Sequence, residues 1–135
     1  VLTGWTDNQT TVTSSCTVAR HDTGDKQFSA AYQNTVIRGR NTATAGTEEL
    51  NDLLDMIFRQ NATSEYICRK LYRFFVNFDV TDNIENNVIK PLAKTLRDNN
   101  FEIKPVLRQL LGSVHFFDAS VIGAMIKTPL DLVLG

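Results

Sequence analysis

Only 2 cysteines, 3 prolines, 7 glycines, 1 tryptophan and 2 histidines occur in the 135 residues of this chain. Two cysteines are too few for a disulfide-dense scaffold and, alone, for a four-ligand structural zinc site. So little Gly and Pro excludes a collagenous or low-complexity chain. An excess of one charge is lacking too: 14 Lys+Arg stand against 15 Asp+Glu, for a formal net charge of -1. That argues against a nucleic-acid partner, because such binding draws mainly on neutralised phosphates. No apolar run approaches the ~20 residues that cross a bilayer, so no transmembrane segment is expected. What is present is 42% hydrophobic residues, enough for a single globular domain over 1–135 that buries roughly two-thirds of its unfolded surface. The chain opens on Val1 and is expected to be a fragment of a longer parent.

The two parts of the chain differ in texture. Residues 1–46 are rich in Thr, Ser, Asn and Gly, with β-branched stretches at 10–18 and 35–38 that suit strands. Between them His21, Asp22, Thr23, Gly24 and Asp25 form a cluster of turn residues. A hairpin or extended arm is expected there, pinned to the helices by Trp5, Phe28, Tyr32, Val36 and Ile37. From residue 47 onward Leu, Ile and Phe recur at helical spacing. Leu50, Leu53, Leu54, Ile57 and Phe58 predict a helix over 47–59, capped by Thr47. Ile67, Leu71, Phe74 and Phe78 predict a second over 62–78, and the short linker makes the two an antiparallel pair with Leu53, Ile57, Leu71, Phe74 and Phe78 buried.

Ile84, Val88, Leu92 and Leu96 predict a third helical region over 82–98, interrupted at Pro91, with Asp82 and Glu85 at capping-box spacing. A fourth helix is expected from about Lys104 to Gly112, with Pro105 in its first turn, and a short last one over 128–134. The fold class expected is mainly α: a bundle of four to five helices (47–135) carrying an irregular, partly β N-terminal arm (1–46).

Several residue sets could carry chemistry. His21 and Asp22 at their turn could act as a general base or a metal ligand. The plainer reading has Asp22 tying the turn backbone and His21 packing on a helix. His115 and Asp118 are three apart, so on a helix the carboxylate could orient the imidazole; the plainer reading is a pair closing the bundle. Were the two histidines to meet, His21, Asp22, His115 and Asp118 would form one site. Arg69, Lys70 and Arg73, with Arg59 nearby, form a basic face that could grip a carboxylate, a phosphate or an acidic glycan. Against that stands an ordinary solvated helix face, with Glu65 and Asp79 as partners. Cys16 and Cys68 would pair only if their Cα atoms came within about 7 Å. No phosphate loop, dinucleotide fingerprint, nucleophile elbow or His-Glu-x-x-His occurs in the sequence, so neither a cofactor nor a resident metal is expected.

An ordered series of short motifs adds a resemblance. It runs from Leu2-Thr-Gly-Trp5 through His21-Asp22 with Lys26 and Phe28, then Ala62-Thr63 and Ile67-Cys-Arg-Lys-Leu-Tyr-Arg-Phe-Phe-Val76. It continues with Val106-Leu-Arg-Gln-Leu-Leu111, Ser113, His115-Phe-Phe117 and Ile126-Lys-Thr-Pro129. In that order the chain resembles the C-terminal part of the bacterial family called domain of unknown function 1800, in a form common in Bacteroidetes. Thr128 stands where the family usually has Ser. The resemblance implies a larger parent and an exported setting, in the periplasm, at the cell surface or secreted. It supplies no catalytic residues. The function it leaves open is a non-catalytic binding or structural module, with the rest of the parent, another envelope protein or a surface polymer as partner. The alternative is part of a hydrolase or metal-dependent enzyme whose site is completed by upstream residues.

Overall fold

In a computed structural model, described over residues 2–124 and 133, the chain divides into two compact units, Val1–Gln60 and Asn61–Gly135. The fold is mainly α with a partly β N-terminal arm. The helix expected over 128–134 lies outside the described residues apart from Val133.

The first unit holds two short antiparallel hairpins, two 3-10 turns (Val18–Arg20 and Ala30–Tyr32) and one α-helix. Strands β1 (Trp5–Asn8) and β2 (Thr13–Cys16) pair with Trp5 opposite Cys16 and Asn8 opposite Thr13. Strands β3 (Lys26–Gln27) and β4 (Val36–Ile37) pair with Lys26 opposite Ile37. The β-branched stretches at 10–18 and 35–38 therefore do not pair with each other; each takes the strand nearest to it in sequence. Such local closure costs the least chain entropy.

Helix α1 (Ala45–Phe58) starts two residues earlier than its apolar spacing suggests. Thr44, not Thr47, holds the N-cap position, and its hydroxyl donates to Glu48 Oε1 (2.6 Å) instead of capping the backbone. Ala45 and Gly46 are buried at this end. A Cβ on Gly46 would lie 2.3 Å from Cys16 Sγ, so glycine is what lets the first hairpin close on α1. Gly39 meets a similar limit, since a Cβ there would fall 2.0 Å from the Thr23 carbonyl oxygen. Of the five residues expected to pin the arm, Ile37 is buried, Trp5 and Phe28 are half-buried, and Tyr32 and Val36 are exposed.

The second unit is the helical core. Helices α2 (Asn61–Phe75), α4 (Lys90–Asp98) and α5 (Ile103–Leu111) pack on one another. Tyr72, Ile89, Leu96, Leu110, Val106 and Cys68 are its most fully buried side chains. The buried stripe of α2 is Ser64, Cys68 and Tyr72, continued by Val76. This differs from the stripe expected, because Phe74 is 72% exposed and Phe78 is 78% exposed. The physical reason is that α2 carries large apolar side chains on both sides. The side that wins is the one where Ser64 satisfies its hydroxyl on the Asn61 carbonyl (2.8 Å) and Tyr72 satisfies its own on His115.

Between α2 and α4 the chain forms α3 (Asp82–Ile84) and then a π-helical turn, Glu85–Ile89. The Lys90 N–H reaches the carbonyl of Glu85, five residues back. Pro91 follows at the start of α4. Its ring would crowd the Asn87 carbonyl in a regular helix, and it has no N–H to offer that oxygen. The wider π turn takes up the mismatch. Thr81, rather than Asp82, caps α3, accepting from the Ile84 N–H (3.4 Å). Asn100 and Phe101 end α4 at positive φ, with the Phe101 N–H returned to the Leu96 carbonyl (2.8 Å).

Candidate functional site

The first unit has one fully buried carboxylate, Glu49 of α1, and the chain builds a cationic shell around it. Helix α1 presents Glu48, Glu49 and Asp52 within its first two turns. The segment 21–40 supplies the partners. His21 Nε2 lies 3.1 Å from Glu49 Oε1, with both side chains fully excluded from solvent. Lys26 Nζ lies 2.8 Å from Glu49 Oε2 and also donates to the Asp22 carbonyl. The backbone N–H of Arg40 donates to Glu49 Oε1 (2.9 Å). The Arg40 guanidinium reaches past Glu49 to Asp52 (2.7 Å) and Glu48 (3.1 Å).

On its other side, His21 places Nδ1 2.9 Å from the Thr3 carbonyl oxygen. Both ring nitrogens thus face oxygen acceptors, so the doubly protonated imidazolium is the form that satisfies them. The bond to the Thr3 carbonyl, then that to Glu49, raises the His21 pKa above its ordinary value, against burial and the Lys26 charge. Burial alone would push the Glu49 carboxyl up, but hydrogen bonds from Lys26, His21 and the Arg40 N–H outweigh it and hold the pKa at about 2. A buried carboxylate held in this way closes a fold: both of its oxygens face N–H or ammonium groups and neither is open to solvent.

The Asp22 side chain does not join this cluster. Its N–H donates to Thr3 Oγ1 (2.8 Å) and its Oδ1 accepts from the Gly24 N–H (2.9 Å), which is an Asx turn. Asp25 likewise holds the Gly39 N–H (2.9 Å) and pairs with Arg38.

In the second unit His115 lies on a short 3-10 turn, Val114–Phe117. Its Nε2 is 2.9 Å from the hydroxyl of buried Tyr72, and the two rings stack at 5.8 Å. Burial raises the Tyr72 pKa, so the phenol keeps its proton beside the imidazole. The Asp118 carboxylate does not bond the His115 ring; only the Asp118 backbone N–H meets that residue, at its carbonyl (3.2 Å). Asp118 Oδ1 accepts from Ser120 Oγ (2.6 Å) and the Ser120 N–H (2.8 Å), and those bonds lower its pKa. The 3-10 turn ends at Phe117, and Asp118 is its extended C-cap (φ -66°, ψ 137°), so the two side chains share no helical face. The groove beside His115 holds about 130 Å³, below the ~300 Å³ at which small-molecule sites begin.

His21 belongs to the first unit and His115 to the second, each bonded within its own unit. Cys16 and Cys68 are both free thiols, and burial pushes the Cys68 pKa up to about 11. Among the described residues no group of three His, Cys, Asp or Glu side chains could hold a metal ion. Arg69 is committed to Glu85 by two bonds (2.7 and 2.8 Å) and to Glu65 (3.3 Å). Lys70 and Arg73 lie instead against aromatic rings, Lys70 Nζ 5.4 Å from the Tyr66 centroid and Arg73 Cζ 5.6 Å from that of Phe78.

Sequence reasoning missed Glu49 as the centre of the buried cluster. Lys26 gave no pointer to it, because Asp22 and Asp25 stand closer to Lys26 in sequence. Tyr72 as the partner of His115 left no signal, being 43 residues away in sequence.

Among the described residues no helix is long and apolar enough to cross a membrane. Comparison with curated proteins and with solved structures gives no match. A family model does match, and it spans residues 1–135 in full. The chain belongs to the family described as Protein of unknown function (DUF1800).

Proposed function

We propose that this chain is a non-catalytic binding or structural module of an exported bacterial protein. The observation that carries the reading is the state of Glu49: fully buried, with His21, Lys26 and the Arg40 N–H on its two oxygens. A catalytic carboxylate needs a free oxygen and a path to substrate. Glu49 has no such path, since its side chain is fully excluded from solvent, and it ties residues 21–40 to α1. Asp22 and Asp118 are spent on turns, and the His115 Nε2 is spent on Tyr72. Export rests on the family resemblance alone.

The test is elemental analysis and an ester and glycoside hydrolysis panel on the purified 135-residue chain, each repeated on Glu49→Gln. The expected result is no stoichiometric metal and no turnover, with a lowered melt for the variant. Bound metal, or hydrolysis lost in His115→Ala, would overturn the reading in favour of an enzyme fragment. Cell fractionation checks the setting, and a purely cytoplasmic pool would count against export.

A further inference from the structure

Helix α2 turns an unusual face to solvent. Tyr66 is 57% exposed, and Phe74 and Phe78 are more exposed still. Lys70 and Arg73 are exposed between these rings. Positions 66, 70, 73 and 74 fall on one arc of a helix with 3.6 residues per turn, opposite the buried arc of Ser64, Cys68 and Tyr72.

The cations on this arc are not matched to acids. Two carboxylates of this region, Glu65 and Glu85, are both bonded to Arg69. The charge of Arg73 helps lower the Glu85 pKa, yet among the described residues neither Arg73 nor Lys70 makes an ion pair. Their contacts are the rings of Phe78 and Tyr66. Such a contact attracts the cation to the ring face. The result is a row of flat apolar platforms with positive charge between them.

We propose that this face of α2 binds an acidic polysaccharide, one whose sugars carry carboxylates. A pyranose ring presents apolar C–H bonds on its faces and polar groups at its edge, so it can lie on Tyr66 or Phe74 while its carboxylate meets Lys70 or Arg73. Tyr66 and Phe74 are eight residues apart, ~12 Å along the helix axis, which suits alternate sugars of an extended chain. A protein partner fits less well. Lys is depleted in the desolvated core of protein interfaces, and here Lys70 occupies the middle of the arc. A nucleic acid fits less well again, since two cations on one helix neutralise too few phosphates to hold a strand.

The ligand assignment rests on the binding-module reading, and the two can fail separately. Affinity electrophoresis of the 135-residue chain through polygalacturonate, alginate or neutral dextran is the test. Retardation is expected in both polyuronates and not in dextran, weakening as salt rises. Lys70→Ala/Arg73→Ala and Tyr66→Ala/Phe74→Ala should each lower polyuronate affinity roughly tenfold or more with far-UV circular dichroism unchanged. No retardation, equal retardation in dextran, or variants that bind as the parent does would overturn the ligand assignment. So would concentration-dependent dimerisation abolished by Phe74→Ala, which would make the face a protein interface. Release of reducing ends from the polyuronate would instead overturn the non-catalytic reading.

Discussion

Glu49 Oε1 lies 3.1 Å from Nε2 of His21, and neither side chain is reached by solvent. This pairing joins a turn near the N-terminus to the second turn of α1, across 28 residues of sequence. Each partner is held by others, His21 by the Thr3 carbonyl and Glu49 by Lys26 and the Arg40 N–H. Removing one member of such a group costs more than the group gains by existing, since the rest stay buried and unmatched. Glu49→Gln keeps the shape and removes the charge, leaving Lys26 and the imidazolium without their counter-ion. It is expected to cost about 3–5 kcal/mol, read as a lowered denaturation midpoint in urea. Amide exchange should quicken first around Thr3 and His21. A midpoint equal to the parent's would show that the cluster adds nothing.

The same cluster fixes a pH window. The Glu49 carboxyl is lowered from 4.5 to about 2, so its contribution is complete above pH 4.5 and is lost as pH falls toward about 2. His21 is raised above 6.5, so its contribution is complete below pH 6.5 and is lost as pH rises through the folded value. Both are complete together only between 4.5 and 6.5. Thermal melts across pH should peak inside that window and fall on both sides. His21→Gln should flatten the alkaline limb and leave most of the acid limb. A melt that kept rising from pH 6.5 to about 9 would contradict the assignment of His21 as an imidazolium.

Gly46 tests how the first hairpin closes. Alanine is the better helix former by about 1 kcal/mol, so propensity alone predicts that Gly46→Ala stabilises α1. Sterics predict the reverse, because the new Cβ would meet Cys16 Sγ at 2.3 Å and Cys16 Cβ at 2.8 Å. Overpacking of this kind costs about 1–3 kcal/mol, and the net effect is expected to be destabilising. Adding Cys16→Ala to the variant removes the sulfur but not the Cβ, so it should restore only part of the loss. Full stability in Gly46→Ala alone would mean that hairpin and helix are not in close contact.

How much of this was legible depended on the range of the interactions. Helices α1, α2, α4 and α5 were visible because their apolar residues recur at short, regular intervals, a local property. The break at Pro91 was visible because a missing N–H acts within one turn. The inward side of α2 was not, because Ser64 and Tyr72 read as polar until their partners are known: the Asn61 carbonyl for one, His115 for the other. Strand pairing failed for a similar reason, since β-branched composition marks a strand without naming its neighbour. His21 and Asp22 stood out as polar residues at a turn, yet what separates them is distant: Glu49 for the first, the Gly24 N–H for the second. Arg69, Lys70 and Arg73 looked alike in sequence, and the pairing with Glu85 and Glu65 sets Arg69 apart.

Phe74 and Leu96 measure directly which side of α2 faces inward. Leu96 of α4 is fully buried and part of the cluster with Tyr72, Ile89, Val106 and Leu110. Leu96→Ala should cost about 2–5 kcal/mol, since the cavity left behind adds to the lost burial. Phe74 is 72% exposed and touches Phe75 edge-on at 4.8 Å. Phe74→Ala should cost less than about 1 kcal/mol, the size of one exposed aromatic contact. Urea titrations of the two variants against the parent give both numbers. Equal losses would place Phe74 in a core and remove the face on which polysaccharide binding is argued. A large loss for Leu96→Ala beside a small one for Phe74→Ala would leave Phe74 free to act on the outside of the molecule, where its binding role can be read without a folding defect.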